Sequence, residues 1–515
     1  MWWVSLALFG LLGGIWALSS PLMSVPDEPA HAIKAAAVWR GEIRGDTIGL
    51  APGDVTGVSS KVVDRVPLAY AELHHQPDCF KGRPGVSAAC APSIGTDGNI
   101  VGVGSPAGTY PPLYYILVGW PSRMLSPYRA LYAMRACSVL LGALLLASAT
   151  ASASALARRP VVTLGVGLAL TPTALFLIGS VNPNGFEVAA AVATWVTLLD
   201  VLTRPGGPTP RLLARAAVAS VCFLLARPIS PLFWAVVVAL VLVAAFTRER
   251  GRLLRADRAA RWAGAAVASA AVVAVGWLVW SPSSESVGLP GVSLGTAAVH
   301  SMGQIPTEIQ QMVGVFGWLD TPTADVLSRV WVGLVVLVVL LALVVGSARQ
   351  RLALVATAVV VFALPVAIET AGVHQLGYFW QGRYSLPLVA GIPLMATWII
   401  ARARRFALPL QVGMAVMIGA GVGAVQFIAH GTALSRYARG GPTSSLAYRW
   451  GGSWLPFLTG SQLFVLALVV FGLYGVGLAL AGSSGGDGVE VKSSEVKSFN
   501  AESFNESGSG PVTGP

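Results

Sequence analysis

Four stretches of the chain, 161–178, 231–246, 330–346 and 463–481, are almost unbroken runs of apolar residues. Such runs approach or reach the roughly 17 to 25 residues that an α-helix needs to cross the hydrocarbon of a bilayer. Only 11% of the 515 residues are charged and the mean hydropathy is +0.69, against roughly 25% charged residues in soluble domains. Membrane β-strands would show short alternating segments instead of solid apolar blocks. The expected fold class is therefore all-α, a polytopic integral membrane protein whose first partner is the lipid bilayer.

Taken in order, the apolar runs place spans near 2–20, 130–156, 160–180, 185–203, 211–226, 230–247, 262–281, 327–347, 352–370, 384–401, 407–428 and 461–482, which makes about twelve. The first lacks a basic leader and reads as an uncleaved span. The segment 110–125 is apolar too, but it is short and carries Pro111, Pro112 and Pro121, so it reads as a helix lying at the interface or dipping in. With the first terminus inside, Arg158 and Arg159, the segments 204–215 and 248–261, Arg349 with Arg351, and 402–405 all follow even-numbered spans and face the cytoplasm, as the positive-inside rule requires. The net charge of +11 is thus a topology signal, and no nucleic-acid partner is expected. Arg123, Arg129 and Arg135 are left on the outer side without an account.

The domain organisation that follows is a transmembrane unit over 1–482, with outer loops at 21–109, 282–326, 371–383 and 429–460. A disordered cytoplasmic tail, rich in Gly, Ser, Glu and Lys, runs over 483–515. Both termini are then cytoplasmic. Cys79 and Cys90 fall in the first outer loop, where a disulfide is permitted, whereas Cys137 and Cys222 lie within apolar runs.

On this topology the unusual polar residues converge on the outer side from five loops. They are Asp27-Glu28 and His31 after span one, Asn182 and Asn184 after span three, Arg227 between spans five and six, Asp320 before span eight, and His374, Gln381 and Arg383 before span ten. Each also has a plain structural reading. Asp27-Glu28 would cap a helix starting near Pro29, Asn182-Pro-Asn184 is a turn and N-cap signal, and arginines at helix ends often sit at lipid headgroups. His31, His374 and the pair His74-His75 show no ligand spacing that identifies a metal site. Together, charges beside Pro-interrupted helices point to a protein-lined cavity. A carboxylate facing a guanidinium suits group transfer, because the first deprotonates an acceptor hydroxyl and the second pairs with a phosphate leaving group. Alternatively, Asp27-Glu28 would hold a divalent cation, Mg or Mn, that neutralises that phosphate.

Four blocks in this order, Pro26-Asp-Glu-Pro-Ala-His31, Thr109-Tyr-Pro-Pro-Leu-Tyr-Tyr115, Gly317-Trp-Leu-Asp320 and Gln381-Gly-Arg-Tyr384, resemble a bacterial membrane-protein family, domain of unknown function 2142, grouped with the GT-C glycosyltransferases. Gly179-Ser-Val-Asn-Pro-Asn184 is a weaker fifth block. The resemblance implies an inverting enzyme of the plasma membrane that moves a sugar from a polyprenyl-phosphate donor to an envelope glycan or lipid acceptor on the outer face. It implies a catalytic carboxylate at Asp27 or Glu28, with Asp27 the first choice for general base and Glu28 for the group that orients it or binds a metal, and it implies Arg383 and Arg227 on the donor phosphate. Gln381, His374, Asp320, Asn182, Asn184 and Tyr110 complete the expected substrate-binding set. One departure stands out: an acidic residue is expected after Asn-Pro, and this chain has Asn184. No phosphate-cradling Gly-rich loop between strand and helix is present, in keeping with a lipid-linked donor. A transporter or flippase of lipid-linked glycans and a polymerase or ligase of such glycans remain alternatives.

Overall fold

The computed structural model describes residues 1–47, 62–156, 161–281, 288–403, 408–441, 451–483 and 514. Arg158, Arg159, Arg404, Arg405 and nearly all of the expected tail lie outside the described residues.

The chain opens with α1 (Trp2–Ser19). The first loop holds α2 (Glu28–Val38), β1 (Asp46–Thr47), β2 (Val62–Pro67), α3 (Leu68–Ala71), β3 (Ile100–Gly104) and α4 (Leu113–Gly119). Then follow α5 (Pro127–Ala155), α6 (Val162–Ala169), α7 (Pro172–Ile178), α8 (Pro183–Thr203), α9 (Pro210–Leu224) and α10 (Ser230–Ala245). Next come α11 (Arg248–Ala256), α12 (Arg258–Trp280) and α13 (Leu294–Gly314). A short hairpin, β4 (Val315–Phe316) and β5 (Thr321–Pro322), precedes α14 (Asp325–Val345) and α15 (Ala348–Leu376). The described fold ends with α16 (Gly382–Val389), α17 (Gly391–Arg402), α18 (Leu408–Arg439) and α19 (Gly460–Ser483).

All twelve expected apolar runs are helical. Among the described residues nine helices are long and apolar enough to cross a membrane, or ten if α10 and α11, bent by 119° at their junction, are one span. The runs below that length are α6 with α7, α9 and α10. Thr171-Pro172 interrupts the first of these, since proline has no N–H to continue the ladder. The break is repaired inside the bundle: Thr171 Oγ1 accepts from the Ala174 N–H, and Gln426 Nε2 donates to the Leu170 carbonyl at 2.7 Å, as hydrocarbon requires of any freed backbone group. The helices α9 and α10 have 15 and 16 residues, about 22 to 24 Å of rise.

Basic side chains close the helix ends at one face of the bundle. Arg349 donates to the carbonyls of Leu242, Val243 and Phe246 at the end of α10, Arg351 to Val344 at the end of α14, and Arg250 to Arg204 beyond α8. These contacts satisfy terminal carbonyls and match the negative end of the helix dipole.

The first loop folds into a small unit at the opposite end. Its three strands form an antiparallel sheet in the order β1-β2-β3, with Thr47 opposite Val62 and Arg65 opposite Gly102. Cys79 and Cys90 are disulfide-bonded, and the loop they close docks on the end of α18, where Arg436 donates to the carbonyls of Phe80, Arg83 and Val86. The segment 110–125 does not span: α4 and a 3-10 turn, Trp120–Arg123, pack on α2 and α5.

Candidate functional site

Asp27 and Glu28 sit where α1 hands the chain to α2, and the structure sends them in opposite directions. Asp27 is the N-cap of α2 in the left-handed region, φ 64°, and its carboxylate makes no capping bond. That conformation is uncommon for a residue with a Cβ and is typical of functional loops. Instead, Asp27 Oδ2 accepts from Arg383 Nη2 at 2.6 Å, and its side chain stays 40% exposed.

Glu28 is fully buried. Arg135 Nε and Nη2 donate to its two oxygens at 2.7 and 2.6 Å, and the N–H groups of Met23 and Val181 donate to them as well. The rest of Arg135 donates to the carbonyls of Ala17, Ser20 and Pro21, closing the end of α1. Glu28 thus ties together α1, α5 and the turn before α8, and holds the loop that presents Asp27. The capping reading of the pair is corrected for both residues, since neither carboxylate caps α2. Arg135, unaccounted for by the topology reading, is an internal counter-charge, while Arg123 and Arg129 are exposed.

Two guanidinium groups converge near Asp27. Arg383 opens α16, and a strap in front of it is held by Glu369, whose Oε1 accepts from the N–H groups of Phe379 and Trp380. Gly382 has no room for a Cβ, which would come within 2.1 Å of the Glu308 carbonyl, and its N–H donates to Gln311 Oε1. Arg227 donates through Nη1 to Glu187 Oε2 at 2.9 Å, and Glu187 Oε1 accepts from Ser230. Tyr384 lies between the two cations, its ring centroid 4.8 Å from Arg227 Cζ and 5.0 Å from Arg383 Cζ. Tyr110 stands 6.0 Å from Arg227 and packs edge-on against His31. Arg383 Nε and Nη1 and Arg227 Nε are buried with no partner among the described residues, which is costly for a cation unless something else supplies acceptors.

Burial would push the Asp27 carboxyl up, but the charge of Arg383, with His31, Arg227 and the Arg383 hydrogen bond, holds it below its usual value. Asp27 is therefore ionised at neutral pH. Burial drives the His31 imidazole down to about 3, and Arg227 and Arg383 oppose a further charge there although Asp27 favours it. His31 is neutral, with Nδ1 2.9 Å from the Tyr115 hydroxyl. Burial raises the Tyr110 phenol, so it keeps its proton.

The remaining expected residues divide. Asn182 caps α8 through Oδ1 and donates from Nδ2 to the Pro26 carbonyl, bracing the Asp27 loop. Asn184 Oδ1 and Gln381 Oε1 are buried without a partner among the described residues. Asp320 accepts from the Gly82 N–H and Arg436, fastening the disulfide loop. His374 donates to the Val292 carbonyl at an exposed position. Neither Asp320 nor His374 is brought to the Asp27–Arg383 pair by these bonds.

A divalent cation does not fit the acidic pair. Both oxygens of Glu28 are taken by a guanidinium and two N–H groups, Asp27 faces a second guanidinium, and among the described residues no three His, Cys, Asp or Glu side chains gather in a metal-binding group.

Sequence reasoning passed over Glu187 and assigned no role to His31, Tyr115 or Tyr384, which stand in the motif blocks. Glu187 carried a readable signal, an isolated carboxylate within an apolar span. It sits one helical turn beyond Asn184, so the acid expected after Asn-Pro is displaced to where it reaches Arg227. No curated protein matches the chain. The model of the family described as Predicted membrane protein (DUF2142) matches residues 9–392, a stretch containing Asp27, Glu28, Arg135, Glu187, Arg227 and Arg383, and the chain belongs to that family.

Proposed function

We propose that the protein is a membrane glycosyltransferase that moves a sugar from a polyprenyl-phosphate donor to a hydroxyl of an envelope glycan or lipid, with inversion at the anomeric carbon. The observation that carries this reading is the set of unpartnered guanidinium N–H groups on Arg383 and Arg227 beside a part-exposed, ionised Asp27. Asp27 occupies one edge of Arg383. A phosphate entering between the arginines competes for that edge, and its oxygens meet the N–H groups that now lack acceptors. Asp27 is then released to take the proton of the acceptor hydroxyl. The hydroxyl oxygen attacks the anomeric carbon from the face opposite the phosphate. The bond from that carbon to the phosphate oxygen breaks, and its electron pair leaves with the polyprenyl phosphate, whose negative charge the two arginines stabilise.

Tyr110 and Tyr384 offer aromatic walls for a sugar, and Asn184 and Gln381 supply free acceptors for its hydroxyls. The reading places the site on the outer face and both termini in the cytoplasm, by the distribution of basic loops.

Purified protein supplied with a radiolabelled polyprenyl-phosphate sugar and an acceptor extract tests the proposal. Asp27→Asn is expected to lower transfer by about 10²-fold or more, the usual scale for loss of a general base, while the protein inserts and folds normally. A well-folded Asp27→Asn protein with full activity overturns the base assignment. Movement of the lipid-linked sugar across vesicles without any bond exchange establishes transport in its place.

A further inference from the structure

We infer that the face of the bundle opposite the Asp27 site carries a binding site for an anionic phospholipid, independent of the reaction proposed above. The helix α11 leaves α10 at 119° and has no buried residue, as befits a helix lying along a membrane surface. Between 248 and 261 the chain has six arginines against only Glu249 and Asp257, a density that favours anionic headgroups.

This basic strip does not stand over solid protein. A cavity of about 520 Å³ opens beneath it, with Arg255 and Arg261 at its mouth. Its walls come from α8, α9, α10 and α12, and its lining is apolar apart from the mouth and Ser220, with Leu198, Ala216, Trp234 and Ala263 among the wall residues. On α12 only 17% of the membrane-crossing window is buried within the protein, so the groove opens towards bilayer lipid.

Arg250, on the same strip but outside the cavity lining, adds a third cation prepared for an anion. Its Nη2 is fixed on the Arg204 carbonyl at 2.6 Å, and its Nη1 is shielded from water without a partner among the described residues. Positive charge at the surface end and an apolar channel running away from it are complementary to one molecule, a phosphate headgroup carrying acyl chains. A nucleic acid or an acidic protein matches the arginines and leaves the groove unfilled. A neutral lipid fills the groove and leaves the arginines unmatched.

The test uses the full chain purified in a mild detergent, with native mass spectrometry counting bound lipid after addition of phosphatidylglycerol or of phosphatidylcholine with the same acyl chains. At least about a 10-fold preference for phosphatidylglycerol is expected, falling to within about 2-fold in Arg255→Gln/Arg261→Gln. Ala263→Trp, which fills the groove and leaves the charges, is expected to lower retention of both lipids. Arg129→Gln, exposed at the start of α5 and outside both strip and cavity, is expected to leave the preference unchanged. Equal retention of the two lipids by the unaltered protein overturns the proposal whether or not the variants fold. A preference that survives the loss of both Arg255 and Arg261, or retention unaffected by Ala263→Trp, overturns it as well.

Discussion

Asp27 and Glu28 are neighbours with the same functional group, and their surroundings give them different work. Glu28 has no exposure and a complete set of donors, so removing Arg135 strands a buried carboxylate. Arg135→Ala is expected to cost about 3–5 kcal/mol, the scale for breaking a buried pair from one side, and to appear as a large fall in thermal stability in detergent. Asp27→Asn is expected to move the same midpoint little, because that side chain is 40% exposed and a hydrogen bond to Arg383 survives. A second buried acid has the opposite chemistry. Burial, with Glu369 nearby, pushes Glu308 up from 4.5 to about 7. An acid that holds its proton more tightly when folded withdraws stability as pH rises between those two values. Glu308→Gln is therefore expected to stabilise the protein at pH 8 and to have little effect at pH 4, which paired thermal melts would check. An equal gain at both pH values contradicts the assignment. Of these residues, Asp27, Glu28, Arg227 and Arg383 were legible in the sequence as charges at span ends. Their partners were not, because Arg135 and Glu187 reach them across 107 and 40 residues of chain, and linear spacing carries no record of such meetings.

At the scale of elements, the apolar runs announce helices, and small residues decide how closely these approach. A Cβ on Gly419 would lie 2.4 Å from the Gly475 carbonyl, and one on Gly475 would lie 2.6 Å from the Gly419 carbonyl, so α18 and α19 meet backbone to backbone. Close approach of this kind is a main source of helix affinity where no hydrophobic effect drives association. Gly419→Leu is expected to cost about 1–3 kcal/mol through overpacking. Gly472→Leu on the same helix pair, where nothing lies within 4 Å, is expected to be tolerated. Comparable melting shifts for the two variants contradict this packing. The breaks in helices are also elements of the design. Pro172 divides α6 from α7, whereas α16 and α17 run on as one 21-residue span. Sequence reading placed a span across Pro172, since hydropathy records apolar content and is blind to a break that a neighbouring side chain repairs.

For the whole molecule, the basic loops gather at one end and the disulfide-closed loop at the other. If the first lies in the cytoplasm, a cysteine at 252 is labelled by an impermeant maleimide only after permeabilisation, and one at 83 is labelled on intact cells. The background for this experiment lacks the free thiols Cys137 and Cys222. Reversed labelling inverts the topology and moves the Asp27 site inside.

The apolar runs alone determined that this chain is helical and membrane-embedded, because hydrocarbon leaves the backbone no other way to satisfy its N–H and C=O groups over such lengths. The sequence likewise pointed to the segments that carry the candidate site, since charges beside Pro-interrupted helices favour a protein-lined cavity. Only the tertiary structure decided which charge is neutralised and which is left to work. Pairing depends on distances across the bundle, and those distances assign Arg135 to Glu28, Glu187 to Arg227, and Arg383 to Asp27 and Tyr384.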